Sequence, residues 1–110
     1  MIQYDDFAKV DVRAGTILSA EPLAGARKPA YVLRIDFGPE LGEKRSSAQV
    51  TVRHRAEDLP GTQVCAVVNF PPKRIAGVQS EVLVLGMPDA DGAVVLVRPQ
   101  FAVPDGARLF

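Results

Sequence analysis

The chain has 110 residues, 47% of them hydrophobic, with 13 basic and 13 acidic side chains and a formal net charge of zero. That length suits one domain, residues 1–110, with a real core, and the hydrophobic content excludes a disordered chain. The neutral balance lacks the basic footprint of sequence-independent nucleic-acid binding, so any such binding must come from local clusters of cations.

Residues 3–8 predict a short N-terminal helical turn that sets Tyr4 and Phe7 against something apolar. Residues 9–20 predict a first strand, because Val10, Val12 and Ala14 alternate with Lys9, Asp11 and Arg13. Gly15 interrupts it as a bulge or bend would. A loop from Glu21 to Pro29 carries Arg27 and Lys28. Residues 30–37 give the clearest strand, with Tyr31, Leu33, Ile35 and Phe37 on one face. Gly38 to Gly42 reads as a turn, residues 43–52 as a third and more polar strand, and Arg53 to Leu59 as a short helix stopped by Pro60-Gly61. Residues 62–68 and 81–86 read as fully apolar strands, and residues 93–98 as a last one. The tail from Pro99 to Phe110 is apolar enough that it should dock on something. Five or six short strands with a helix between the third and fourth predict an all-β, five-stranded OB-fold barrel; a small sandwich is the alternative.

Cys65 is the only cysteine, so no intramolecular disulfide exists, and its apolar setting predicts a buried thiol. His54 is the only histidine, and no Cys/His cluster suits zinc. The N-terminus does not read as a signal peptide, and no apolar run approaches the ~20 residues of a membrane span. The expectation is a cytoplasmic protein with no metal and no cofactor. Ser46 or Ser47, His54 and Asp58 assemble into a nucleophilic triad only on paper, for no Gly-x-Ser-x-Gly elbow accompanies them. Phosphate-binding glycine motifs are also missing, so the reading is non-enzymatic.

The most informative stretch is Asn69 to Leu83. Pro71-Pro72 cannot sit inside a central strand, so the chain leaves the sheet there. It presents Phe70, Lys73 and Arg74 stiffly, a surface for bases, phosphates or extended peptide. Further cations cluster at Lys44-Arg45 and at Arg53-His54-Arg55, among Ser46, Ser47, Gln49 and Thr51. Together they predict a groove across the barrel face. Asn69 reads equally as a turn residue or as a ligand contact.

Four segments resemble the tRNA-binding OB domain family: Val10 to Ile17, Leu33 to Gly38, Arg45 to Gln49, and Asn69 to Leu83. Within it the chain looks most like the CsaA branch, export-related chaperones of bacteria and archaea, through Ser46-Ser47-Ala48-Gln49, Val67 to Gly77 and Ser80 to Gly86. The family's tRNA binders tend to Gly-Met where this chain has Val82-Leu83, and to Ser-Gly-Leu where it has Ser47-Ala48-Gln49. The resemblance implies an OB fold and a homodimer that binds unfolded preproteins without ATP, with structure-specific tRNA binding as the alternative. By position Asn69 and Ser80 match the family's polar ligand residues, and Lys73-Arg74 match its basic loop. The expected ligand surface is thus Arg45, Ser46, Ser47, Gln49, Arg53, Arg55, Asn69, Phe70, Pro71, Lys73, Arg74 and Ser80. The family dimerises through its chain ends, which here offer Tyr4, Phe7, Phe101 and Val103.

Overall fold

A computed structural model describes residues 1–110. A short helix, α1 (Tyr4–Ala8), leads into a long strand, β1 (Val12–Pro22), then β2 (Tyr31–Asp36), a four-residue helix α2 (Gly38–Leu41) and β3 (Glu43–Ala48). A single 3-10 turn (Ala56–Asp58) precedes β4 (Gln63–Val67). Five short strands complete the chain: β5 (Lys73–Ile75), β6 (Val78–Ser80), β7 (Leu83–Val84), β8 (Gly86–Pro88) and β9 (Val94–Leu96).

The main sheet is antiparallel in the order β3-β2-β1-β4-β7. It curls into a nearly closed five-stranded barrel of OB type, with the expected helical element between β3 and β4 reduced to one 3-10 turn. Alternation decides what faces inward. Ile17, Leu33, Ile35, Phe37 and Val64 are fully buried and form the centre of one core, joined by Val50, Leu59, Ala66, Val82 and Leu96. Each of these side chains other than Ala66 contributes ~1.5–3 kcal/mol by leaving water. On the outer face of β4, Cys65 and Val67 pack with Val12 in a second cluster, against Leu85 and Val97. Because β4 is covered on both faces, its sequence is apolar without alternation.

Several details differ from the sequence reading. Val10 lies outside β1 and is exposed. The irregularity in β1 falls between Ile17 and Ser19, not at Gly15. Gly15 instead permits close packing: a Cβ there would lie 2.7 Å from Ile35 Cγ2 and from the Phe37 ring. The turn at Gly38 is helical, with Pro39 in its first turn, where a missing N–H costs nothing. β3 ends at Ala48, four residues early. The apolar run 81–86 is not one strand, for it divides between β7 and β8 and leaves Leu83 half exposed. The segment after Pro71-Pro72 returns as a hairpin, β5–β6. Its turn residues, Ala76 and Gly77, have φ of 48° and 82°, the positive pair of a type I′ turn.

The tail docks on β1. Gly106 N–H donates to Ala14 O, Ala14 N–H to Ala107 O, and Leu109 N–H to Val12 O, at 2.8–2.9 Å. It covers the start of the β1 edge that β2 takes up from Thr16 onward. Side chains reinforce the joint: Thr16 Oγ1 donates to Asp105 Oδ1 at 2.6 Å, and Gln63 Nε2 to Val103 O at 2.7 Å.

Gly15→Ala should force Ile35 and Phe37 apart and destabilise the barrel by ~1–3 kcal/mol, the usual cost of overpacking. The guanidinium unfolding midpoint measures it, and an unchanged midpoint would refute the close approach.

Candidate ligand-binding groove

The barrel closes between β3 and the β6–β7 segment, and there the strands do not form a regular ladder. Glu81 N–H donates to Arg45 O at 2.8 Å, and Arg45 N–H to Glu81 Oε1 at 3.2 Å. Ser47 N–H donates to Ser80 Oγ at 3.1 Å, and the Ser46 hydroxyl to Val82 O at 3.1 Å. The seam is thus held largely by side-chain bonds in place of a continuous backbone ladder. The result is a groove of about 480 Å³ over the seam.

Ser47 and Gln49 of the β3 edge form one wall. Phe70, Pro71, Lys73, Ile75 and Ser80, from the loop and hairpin, form the other. Glu81, Val82 and Leu83 complete the lining. Phe70 is 52% exposed and Leu83 50%, a large apolar surface beside two charges. Glu81 is held by the Arg45 N–H and lies 3.9 Å from Lys44 Nζ. A second cavity of about 510 Å³ continues past Ser47, Gln49 and Ile75 to Arg27 and Lys28.

Of the expected ligand residues, Ser47, Gln49, Phe70, Pro71, Lys73 and Ser80 come together in this groove. The others lie elsewhere. Ser46 is fully buried, because register pairs it with Leu33 and turns it into the barrel. Arg45 is exposed on β3 opposite Arg34, outside the groove lining. Arg53 lies 3.7 Å from Asp89, and Arg55 pairs with Glu57 at 2.6 Å. Arg74 is exposed on β5 but does not line the cavity. Asn69 acts as a clamp: its Nδ2 donates to Lys9 O at 2.7 Å, and its Oδ1 accepts from Asp11 N–H at 3.0 Å. The groove also contains Ile75, Glu81, Val82 and Leu83, which the sequence reading left out of the site. The break in the 81–86 run was the missing signal, since an intact strand would have hidden Leu83.

Of the residues in the paper triad of Ser46 or Ser47, His54 and Asp58, Ser46 and His54 are engaged elsewhere. The Ser46 hydroxyl serves Val82, and His54 Nε2 accepts the Leu96 N–H at 3.4 Å. Burial pushes the His54 imidazole below its ordinary value, and Arg53 and Arg98 push the same way. Burial raises the Cys65 thiol, which favours the neutral, inert form.

Fold and groove together define an OB-type barrel with an open groove at its seam. The model of a putative tRNA binding domain matches residues 12–108, and the chain belongs to that family. Its likeness to the CsaA branch extends over the whole molecule. The crystal structure of chaperone CsaA from Bacillus anthracis str. Ames is 54% identical, with a TM-score of 0.92, covering 100% of this chain and 99% of that one. The CsaA chaperone protein of Picrophilus torridus is 46% identical at a TM-score of 0.93, with both chains wholly covered. A methionine–tRNA ligase of Porphyromonas gingivalis is 33% identical over 108 residues, which is 98% of this chain but 15% of that enzyme. The chain thus spans about 15% of the length of the curated ligases it matches.

The lowered His54 value has a signed consequence. Unfolded, the imidazole titrates near 6.5; folded, it titrates lower. Between those values the unfolded chain binds more protons, so stability is complete above about 6.5 and falls as pH drops through the window. Asp11, Glu43 and Glu57 are shifted below ordinary carboxylate values and act only in more acidic solution. The urea midpoint should therefore be lower at pH 5.5 than at 7.5, and His54→Gln should flatten the difference. An equal slope in the variant would place the effect elsewhere.

Proposed function

We propose that this protein is a non-enzymatic, homodimeric chaperone that holds extended segments of unfolded preproteins in the cytoplasm for export. The observation that carries this reading is the groove itself. Phe70, Pro71, Ile75, Val82 and Leu83 offer apolar surface, while Lys73 and Glu81 supply one charge of each sign. Such a lining suits polypeptide, whose apolar side chains need burial and whose backbone needs polar partners. The full-length likeness to two chaperones supports the same choice. No ATP is required, because holding needs only reversible burial.

The dimer is argued from the chain ends. Tyr4, Phe7, Val10, Leu109 and Phe110 line one cavity of about 340 Å³. Leu109 and Phe110 continue into another of about 360 Å³ that reaches Cys65, Val97 and Val103. Phe101, which falls in sequence between Pro99 and Val103 of that second lining, is 77% exposed. A patch of this kind marks an interface, and a second copy is the occupant, since a neutral chain resists self-association least. Two-fold pairing gives one particle two grooves and hence avidity for long clients.

Structure-specific tRNA binding is the second reading, favoured by the family match and by the cations at the groove. Titration with tRNA and with an unfolded preprotein, each at two salt concentrations, separates the two. Client binding that survives salt supports the chaperone. Tight tRNA binding that falls steeply with salt, without client binding, supports the alternative.

Phe70→Ala should weaken client binding about tenfold or more, as loss of a central aromatic anchor does, while the dimer persists. Unchanged binding by the folded variant would overturn the reading. Tyr4→Asp with Phe101→Asp should halve the mass seen by light scattering. A wild-type mass of one chain would refute the dimer.

A further inference from the structure

The two cavities over the seam differ in charge. The half lined by Phe70, Leu83 and Val82 carries Lys73 and Glu81 and is balanced. The other half carries Arg27 and Lys28 and no acid. Neither cation has an acidic partner within the chain, in contrast to Arg34, Lys44, Arg53 and Arg55. The halves meet at Ser47, Gln49 and Ile75. Gln49 is exposed just beyond the end of β3, and neither its backbone nor its side-chain amide has a partner in the chain. On the same strand edge, alternate residues Arg45 and Ser47 turn their backbone groups toward the seam, where Glu81 and Ser80 take them. Gln49 is the next residue in that alternation and offers its groups to an incoming chain.

We propose that the groove selects clients by charge polarity: it holds an apolar segment over Phe70 and Leu83 that is flanked, on one side only, by acidic residues placed against Arg27 and Lys28. The proposal rests on the polypeptide-holding reading and adds direction to it. One extended chain crosses both halves at Gln49, so its polarity is set when the flank meets the cations. A basic flank meets two like charges and no acid, and is rejected. The selection is electrostatic at an exposed rim, so it weakens with salt while the apolar anchoring does not.

The test uses the full-length protein and labelled peptides that share one apolar core. A run of glutamate, of serine or of lysine is placed on the N-terminal flank or on the C-terminal flank. In one of the two placements, glutamate should bind about fivefold tighter than serine at low salt, and lysine weaker than serine, the scale expected for two exposed charges. In the other placement the three should bind alike. Arg27→Glu with Lys28→Glu should reverse the order, with an unchanged denaturation midpoint confirming the fold. Equal affinity for all flanks, or an order that survives the double substitution, overturns the proposal. If the serine-flanked core binds and is lost in Phe70→Ala, that failure leaves the holding function standing. Binding of no peptide at all overturns both. Loss of tRNA binding in the double variant, with no flank preference among peptides, overturns the proposal and assigns Arg27 and Lys28 to phosphate.

Discussion

The seam between β3 and the β6–β7 segment is the constraint on which the site depends. An antiparallel barrel closed by a regular ladder leaves strands ~4.8 Å apart and no room for a ligand between them. Here the Ser46 and Ser80 hydroxyls and the Glu81 carboxylate replace ladder partners. Ser46 is fully buried, so its bond to Val82 O satisfies a hydroxyl and a carbonyl that would otherwise be costly. The same substitutions leave Ser47 and Gln49 at the open edge and raise the hairpin beside them. Closure and groove are therefore one feature. Anything that zipped the seam more tightly would also narrow the site.

The chain ends are organised by a second polar network that leaves apolar groups outside. Arg13 donates to Asp11 at 2.6 Å and to Gly106 O at 3.0 Å, while Arg108 reaches Ala8 O at 2.9 Å. The hydrogen bond from Arg13 holds the Asp11 carboxyl below its ordinary range, which marks the pair as ionised. Asn69 ties the same corner to the loop that carries Phe70. With backbone and polar groups anchored inward, Tyr4, Phe101 and Phe110 project outward. The clamp at Asn69 also connects the two surfaces: the loop bearing the groove aromatic is fixed to the segment that leaves the N-terminal helix.

Much of this was legible, and the misses have physical causes. β2 was readable because Leu33, Ile35 and Phe37 alternate with Val32, Arg34 and Asp36, and burial follows that period. The helical turn at the N-terminus and the element between β3 and β4 followed from their flanking residues. The β5–β6 hairpin was hidden because its turn is Ala76-Gly77 and lacks the Asn-Gly or Asp-Gly that signals a type I′ turn. The inward side of β3 was decidable from period alone, since Ser46 cannot share a face with Ser47. Treating the polar run as one surface obscured it. Long-range partners were beyond reach: nothing local in Arg53 announces Asp89, whereas Arg55 meets Glu57 only two residues on.

Those ion pairs matter for the field more than for stability. Exposed pairs such as Arg34–Glu43 and Arg55–Glu57 add little to stability, because water and salt screen them. What they do is cancel charge at specific places. Once Arg13, Arg34, Lys44, Arg53, Arg55 and Arg108 are matched with acids, the cations left without an ionic partner are Lys9, Arg27, Lys28, Arg45, Lys73, Arg74 and Arg98. Three of these, Arg27, Lys28 and Lys73, line the two cavities over the seam. A chain with no net charge therefore presents a locally positive groove whose only acid is Glu81. Pairing elsewhere leaves part of the surplus at the groove, and that distribution, rather than the total, sets the local field there.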